Sequence, residues 1–371
     1  MIASLKGRPI TPQFDPWDPY VTWSPELGHR LTSVEVTTTH VCNLRCEHCA
    51  VGELLWTRDP EGVPLARLLA ALDDVPDLLS FSLTGGEPFA SPSSVEHVVL
   101  PLLRWAKARG LYTQVNSNLT LPLAALEPAI EYIDVLHISW NYVDAADFAR
   151  IAFAHAPGRS AGAAERLYAR LLANIAALTE RGCRISAETI MTQATLPRLD
   201  LIHRRLAELG VWRHEIHPLY PADFAAGMTL PSLAEYRDGI ERLLDAHVPQ
   251  VWLLFGTLPF FACSADPAEL QTILRLRAAP NVTVRNDPDG RNRLNIDALT
   301  GEVRLQDFAD QAALAHLDDA PLVELFRRWL DRDEAKRLHC HCAGARCLGP
   351  NVIVAQAYHP GAAFHAGAAR V

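Results

Sequence analysis

From about residue 33 the chain alternates short apolar runs with longer amphipathic ones, and this rhythm is the strongest constraint on its fold. Such repetition is the pattern of βα units feeding a parallel sheet. The runs Ser33 to Thr38, Leu78 to Leu83, Tyr112 to Ser117, Val135 to Trp140, Arg184 to Ile190 and His214 to Leu219 read as strands. Between them Pro92 to Arg109, Leu121 to Tyr132, Ala161 to Arg181 and Leu196 to Leu209 read as helices, with stop signals at Gly110 and Gly182. About six repeats imply a barrel-like or open α/β domain whose reactive loops lie at the strand C-terminal ends. After about residue 225 the rhythm changes. The amphipathic stretch Leu233 to His247 leads to Val251 to Phe261, a hairpin pairs Arg293 to Ile296 with Val303 to Leu305 through Gly301, and a helix runs from Pro321 to Arg337. The expected organisation is an N-terminal extension (1–32), an α/β domain (33–225) and a smaller α+β, cysteine-rich domain (226–371).

With 34 Lys plus Arg against 43 Asp plus Glu, the net charge is −9. A binder driven by phosphate contacts needs a basic face, so the charge disfavours a nucleic-acid partner. The basic residues Arg327, Arg328, Arg332, Lys336 and Arg337 are interleaved with acids, as on a solvated helix face. No run approaches the ~18 apolar residues of a membrane span, and Met1 to Lys6 lack the order of a secretory signal. The expected location is therefore the cytoplasm, where 8 Cys point to metal or redox chemistry rather than disulfides. Six of them form two groups, at 42, 46 and 49 and at 340, 342 and 347. Cys183 reads as a small core hydrophobe, whereas Cys263 ends an apolar run where a loop should start.

Cys42, Cys46 and Cys49 read Cys-x3-Cys-x2-Cys directly after the first strand. Three thiolates on one loop can hold three corners of a cubane cluster and leave one iron open; a Cys3His zinc site completed by His40 or His48 is the alternative. At the end of the next strand stands Thr84-Gly85-Gly86-Glu87-Pro88, aimed at the same mouth. Together with His48 just before the third Cys, the two motifs resemble the radical S-adenosylmethionine (radical SAM) superfamily. The resemblance covers about residues 33 to 225 and implies a partial (β/α)6 barrel. It also implies that Cys42, Cys46 and Cys49 bind a 4Fe-4S cluster whose fourth iron chelates SAM. Gly85 and Gly86, followed by Pro88, would lie against the methionine part, with Glu87 near its ammonium. Reductive cleavage of SAM then yields a 5′-deoxyadenosyl radical, with the electron supplied by a donor such as flavodoxin or ferredoxin, and the protein places a substrate hydrogen beside it.

Other family positions map onto strand ends. Asn118 stands at the Asn of the family's Thr-Asn-Gly, where Leu119 replaces the Gly. Ser139 matches a Ser that contacts SAM, Asn141 replaces a common Asp, and Arg159 is a candidate for the SAM carboxylate. Each also reads as a polar residue satisfying local backbone. Glu188 and His217, at later strand ends, are placed to line a substrate cavity.

Cys340, Cys342 and Cys347 read Cys-x-Cys-x4-Cys, flanked by His339 and His341. Hairpin, then helix, then cysteines is the order of the SPASM and twitch extensions that hold auxiliary clusters. The SPASM cysteine pattern itself is not matched, because Gly301 is followed by Glu302-Val303-Arg304-Leu305-Gln306-Asp307. The chain more closely resembles the YfkAB-like radical SAM/CxCxxxxC proteins. Support comes from the stretches Asn286 to Asn295 and Leu305 to Asp310. One auxiliary 4Fe-4S cluster is expected, with Cys263 as distant fourth ligand; zinc, with Cys263 or a flanking His, is the alternative. The implied activity is hydrogen abstraction from a peptide or small-molecule substrate by an oxidoreductase-type enzyme. A leader-binding winged helix of ~80 residues does not fit in the ~32 residues before the first strand, which weakens a peptide-maturing role. A metal- or SAM-binding carrier or regulator without turnover is the competing class, and the intact motifs argue against it.

Overall fold

Strand β1 (Ser33–Thr37) alternates Val34 and Val36 with Ser33 and Glu35, so its two faces meet different surroundings. The valines join Leu68 and Leu72, of the helix Leu65–Asp73, in the main apolar cluster, while Glu35 faces a cavity. The structure, a computed structural model, describes residues 2–337 and 340–360. The same alternation runs through β2 (Ser80–Thr84), β3 (Tyr112–Ser117), β4 (Val135–Ser139), β5 (Ile185–Met191) and β6 (Arg213–Pro218). These six strands are parallel and adjacent in chain order, as βα units require. Their register aligns Glu35 with Ser82 and Gln114, and Ser139 with Glu188 and Glu215, giving polar rows on one face.

The parallel rhythm continues past residue 225. Strands β7 (Trp252–Phe255) and β8 (Val282–Val284) extend the sheet beyond β6, each also parallel. At the other edge β9 (Arg293–Asp297) pairs parallel with β1 and antiparallel with β10 (Glu302–Arg304), the expected hairpin. Gly301 closes it with φ +77°, and the short β11 (Ala315–His316) completes an 11-stranded sheet. The cysteine-rich part is thus built onto both edges of the sheet that carries the barrel strands. Among the described residues no helix is long and apolar enough to cross a membrane.

Two proline effects modify the expected helices. The segment 121–132 forms only the 3-10 turns Leu123–Ala125 and Ile130–Tyr132, because Pro128 has no N–H to continue a helix. The helix entered at Pro92 carries a π turn, Val95–Val99, just ahead of Pro101, whose ring excludes the ordinary bond to His97.

The N-terminal extension closes the barrel from below. Ile2, Ile10, Phe14 and Trp17 pack on Leu79, Tyr112, Val135 and Trp252, residues at the starts of their strands. Trp17 is fully buried and donates from Nε1 to Ser82 Oγ at 3.0 Å. Replacing Trp17 with Phe removes that bond and leaves a gap, so urea unfolding should show a loss of about 1–3 kcal/mol.

Candidate functional site

The cysteine loop leaves β1 and is fixed by main-chain bonds on three sides. Arg45 and Glu47 donate their N–H groups to Ala152 O and Ile151 O, both at 2.9 Å; these acceptors end the helix Ala145–Ala152. Phe224 N–H reaches Cys49 O at 3.2 Å, and Ala309 N–H reaches Ala50 O at 2.8 Å. Held this way, Cys42, Cys46 and Cys49 all line one cavity of about 310 Å³. Burial pushes the Cys42 thiol up to about 12 and Cys49 up to about 11, and raises Cys46 well above its ordinary value; Cys49 adds to the rise at Cys42, and both add to that at Cys46. Three thiols crowded in a buried site call for a cation that would favour their thiolate forms. N–H donors already point at one sulfur: Leu44 N at 3.4 Å and Asn118 Nδ2 at 3.8 Å from Cys42 Sγ. Such bonds stabilise the charged form that binds iron.

The glycine pair packs against this loop. Gly86 N–H and Glu87 N–H donate to Thr39 O and Val41 O, both at 2.8 Å. A Cβ on Gly85, at φ +138°, would stand 2.3 Å from Thr39 O, and one on Gly86 would stand 2.5 Å from Val41 O. Glycine is therefore required here by the backbone of the cysteine loop, while both residues also face the cavity. Glu87 and Pro88 are buried and do not line it. The Glu87 carboxylate accepts from Asn118 N–H at 2.7 Å and Ser117 Oγ at 2.9 Å, yet burial still pushes it up to about 7.

Asn118 does reach the cavity wall. Its amide donates to Asn43 Oδ1 at 2.9 Å, and its oxygen accepts from Thr120 Oγ1 at 2.6 Å. Leu119, where a Gly was expected from the family pattern, holds φ +53° while fully buried. Asn174 Nδ2 on Leu119 O, at 2.9 Å, and Leu119 N–H on Ser117 Oγ, at 3.0 Å, fix that strained turn. Ser139 lines the cavity, and its carbonyl accepts from Tyr142. Asn141 accepts from Ile190 N–H at 2.8 Å and pairs with His48 Nε2 at 3.2 Å. His48 thus faces the cavity, with burial pushing its ring down to about 4.

Arg159 is not brought to this site. It sits exposed between two helices with its guanidinium over Phe153 at 5.1 Å, because the helix Ala145–Ala152 ends and returns the chain to solvent. His40 is also committed elsewhere, with Nδ1 at 3.0 Å from Leu54 O and Nε2 at 2.8 Å from Asp297 Oδ2. That leaves it no ring nitrogen for a Cys3His zinc set.

The far wall holds groups that strand-end reasoning reached only in part. Glu188 pairs with His137 Nε2 at 2.5 Å, and His217 Nε2 lies 3.0 Å from Glu215 Oε1. Glu215 also binds Arg285 and, at 3.1 Å, Arg213. Burial alone would raise the Glu215 carboxyl, but the two guanidiniums and His217 hold it well below the usual carboxylate range. Glu35, Gln114, His137, Glu215 and Arg293 were not singled out; their signal is polar residues spaced by two along a strand, as in Gln114 and Asn116 or Arg213, Glu215 and His217.

The second cysteine group is a tight turn. Cys342 and Cys347 exchange main-chain bonds of 2.7 and 3.1 Å around the turn Ala343–Ala345, and Gly349 N–H points at Cys347 Sγ at 3.3 Å. Burial is the main cause of the raised Cys263, Cys340 and Cys347 thiols; Cys342 adds to all three, and Cys263 adds to Cys340 and Cys347. The buried Arg291 offsets part of that charge at Cys340 and Cys347. The His341 ring packs tilted against Trp23 at 4.8 Å, and His339 lies outside the described residues. Cys183 packs against the main core. Among the described residues, no three of His, Cys, Asp and Glu converge tightly enough to hold a single metal ion.

Comparison with known proteins gives the family. The radical SAM superfamily model matches residues 36–192, and a YfkB-like domain matches 219–369. The protein YfkA of Bacillus subtilis (strain 168) is 46% identical over 361 residues, 97% of each chain. The chain belongs to the radical SAM superfamily and to its YfkA-like, YfkB-containing group. It is an enzyme of that superfamily. Streptococcus suis SuiB bound to precursor peptide SuiA shares the fold at TM-score 0.60 and 14% identity, over 93% of this chain and 77% of SuiB. anSMEcpe with bound AdoMet and Cp18Cys peptide does so at TM-score 0.55 and 12% identity, over 82% and 81%. A radical SAM site requires a 4Fe-4S cluster and SAM, and the thiols that face the cavity fit that requirement.

Proposed function

We propose that this enzyme cleaves SAM reductively at a cluster held by Cys42, Cys46 and Cys49 and abstracts hydrogen from a peptide or small-molecule substrate in the same cavity. The observation that carries it is the meeting of all three thiols, Gly85, Gly86, Asn118 and Ser139 around one cavity. When bound, the cluster and SAM supply the electron transfer and the adenosyl radical. The protein contributes the cavity itself, N–H groups aimed at sulfur, and Gly85 and Gly86 as backbone beside the methionine part. The electron would come from a flavodoxin- or ferredoxin-type donor in the cytoplasm. That SuiB and anSMEcpe are described with bound peptides supports a peptide among the candidate substrates.

The second group is read as an auxiliary 4Fe-4S site with Cys340, Cys342, Cys347 and Cys263 as ligands. Thiols near enough to act on one another electrostatically, a sulfur-directed N–H and a buried cation beside them support this reading. Anaerobic reconstitution should load about eight iron per chain, falling to about four in Cys340→Ala/Cys342→Ala/Cys347→Ala and in Cys263→Ala. Zinc bound with iron near four would reject the auxiliary cluster. Absence of 5′-deoxyadenosine under every reductant tried would reject the radical reading.

A further inference from the structure

Six acidic residues line the cavity that holds the cysteine loop. Glu188 is paired with His137, Glu215 with two arginines, and Asp287 accepts from Tyr220 and Asn351. The remaining three are Glu35 on β1, Asp289 ahead of β9 and Asp307 after β10. One guanidinium serves all three. Arg293 Nε lies 2.7 Å from Asp289 Oδ1, its Nη1 lies 3.7 Å from Glu35 Oε2, and it reaches Asp307 only at longer range. The other basic groups of the wall are committed elsewhere, Arg213 and Arg285 to Glu215 and Asp15, His217 to Glu215, and His137 to Glu188. Burial pushes Asp289 and Asp307 up only to about 6, so at neutral pH the corner remains anionic.

A neighbouring amide independently points to a ligand. Asn116 Nδ2 donates to Glu35 Oε2 at 3.2 Å. Asn116 Oδ1 must then accept, which makes Gln114 Nε2, at 3.0 Å, the donor in its turn. The hydrogen-bond chain thereby leaves Oε1 as the atom of the Gln114 amide without a partner. Gln114 is 5% exposed and lines the cavity, yet Oε1 is buried without a partner. A buried acceptor left unsatisfied costs about 1–3 kcal/mol. The corner therefore combines surplus negative charge with an acceptor in need of an N–H.

We propose that the corner formed by Glu35, Gln114, Asp289 and Asp307 binds a cationic group of the substrate, an ammonium of the kind lysine carries, whose N–H donors meet Gln114 Oε1 and the free carboxylate oxygens. This names a substrate class for the cavity and rests on the radical SAM reading of that cavity.

The test uses cluster-loaded, SAM-bound protein and three probes of similar skeleton, followed by calorimetry. The probes are N-acetyl-lysine methylamide, its uncharged norleucine counterpart and its glutamate counterpart. The lysine probe should bind at least about tenfold tighter than norleucine, with glutamate weakest. In Asp307→Asn and Glu35→Gln the lysine advantage should fall to about threefold or less. Asp307 lies outside the strands, so its variant keeps the comparison valid if Glu35→Gln folds poorly. A fourth probe, 1,5-diaminopentane, separates sources: tighter binding than the blocked lysine assigns a free amine, weaker binding a peptide side chain, and either supports the site. Equal binding of lysine and norleucine, no lysine binding near 10 mM, or an advantage unchanged in both variants overturns it. So does an advantage seen with SAM-free protein but absent from the SAM-bound form, which would assign the corner to SAM's own ammonium. Failure of the radical reading appears separately, as no 5′-deoxyadenosine from SAM whatever the probes do.

Discussion

Cys49→Ala should lower 5′-deoxyadenosine formation by at least about 10³-fold, a barrier change of about 4 kcal/mol, while leaving the fold in place. The two effects separate because the cysteine loop is anchored by its backbone. Cys49 N–H on Cys46 O at 3.3 Å and Phe224 N–H on Cys49 O at 3.2 Å need no side chain. The thiol itself is half-buried, so its loss should change urea stability of the cluster-free protein by about 0.5–1 kcal/mol. Iron content should fall by about four per chain if the remaining two thiols cannot retain a cubane. Gly86→Ala offers a contrast at the same wall. Its Cβ would press on Val41 O, one residue before Cys42, so it disturbs the loop through packing while leaving all three ligands present. Nucleoside assay, iron count and unfolding curve, run on the same preparations, distinguish a lost ligand from a lost fold. Wild-type 5′-deoxyadenosine from Cys49→Ala would remove this thiol from the chemistry.

The local part of this fold was legible in the chain because its signals are local. Six strands stand within two residues of where apolar runs and glycine stops place them, and both motifs sit at strand ends that face one mouth. The segment 121–132 misled because its apolar spacing is helical while Pro128 forbids the bond. The pairing of β9 with β1 was not legible, since nothing near Arg293 to Asp297 in sequence refers to a strand some 260 residues earlier. His40 on Asp297 is a consequence of that pairing and could not be foreseen without it. Leu119 shows the opposite case: a positive φ expected for Gly is imposed on a branched residue by Ser117 and Asn174. The polar wall was present in the letters, as in Arg213, Glu215 and His217 spaced by two. Only Glu188 and His217 were legible as cavity residues, because strands of a parallel sheet are usually read as apolar runs, and a polar interior face breaks that rule only inside a cavity.

That wall also sets the stability of the barrel under acid. Glu215→Gln should destabilise the cluster-free protein by about 3 kcal/mol at pH 6, because removing one member of a buried ion group strands the others. Arg213 is fully buried, and Arg285 nearly so; without Glu215 both guanidiniums depend on Asp15 Oδ2, at 3.8 and 3.4 Å. The pH dependence follows from the shifts. Burial would raise Glu215, but Arg285, Arg213 and His217 lower it well below its ordinary value. Its stabilisation is therefore fully present above the unfolded value of about 4.3 and is lost as pH falls toward the folded one. His217 runs the other way: burial would lower it, but Glu215 and Glu188 raise it. Its share is present below about 6.5 and is lost as pH rises through the higher folded value. The stability gap between wild type and Glu215→Gln should thus be widest between about pH 4.3 and 6.5, narrow somewhat above, and close below. Urea midpoints of both proteins at pH 3.5, 5.5 and 8, chosen to bracket those values, measure it. A gap that is equally wide at the lowest and middle pH would mean that Glu215 does not carry its charge into the folded barrel.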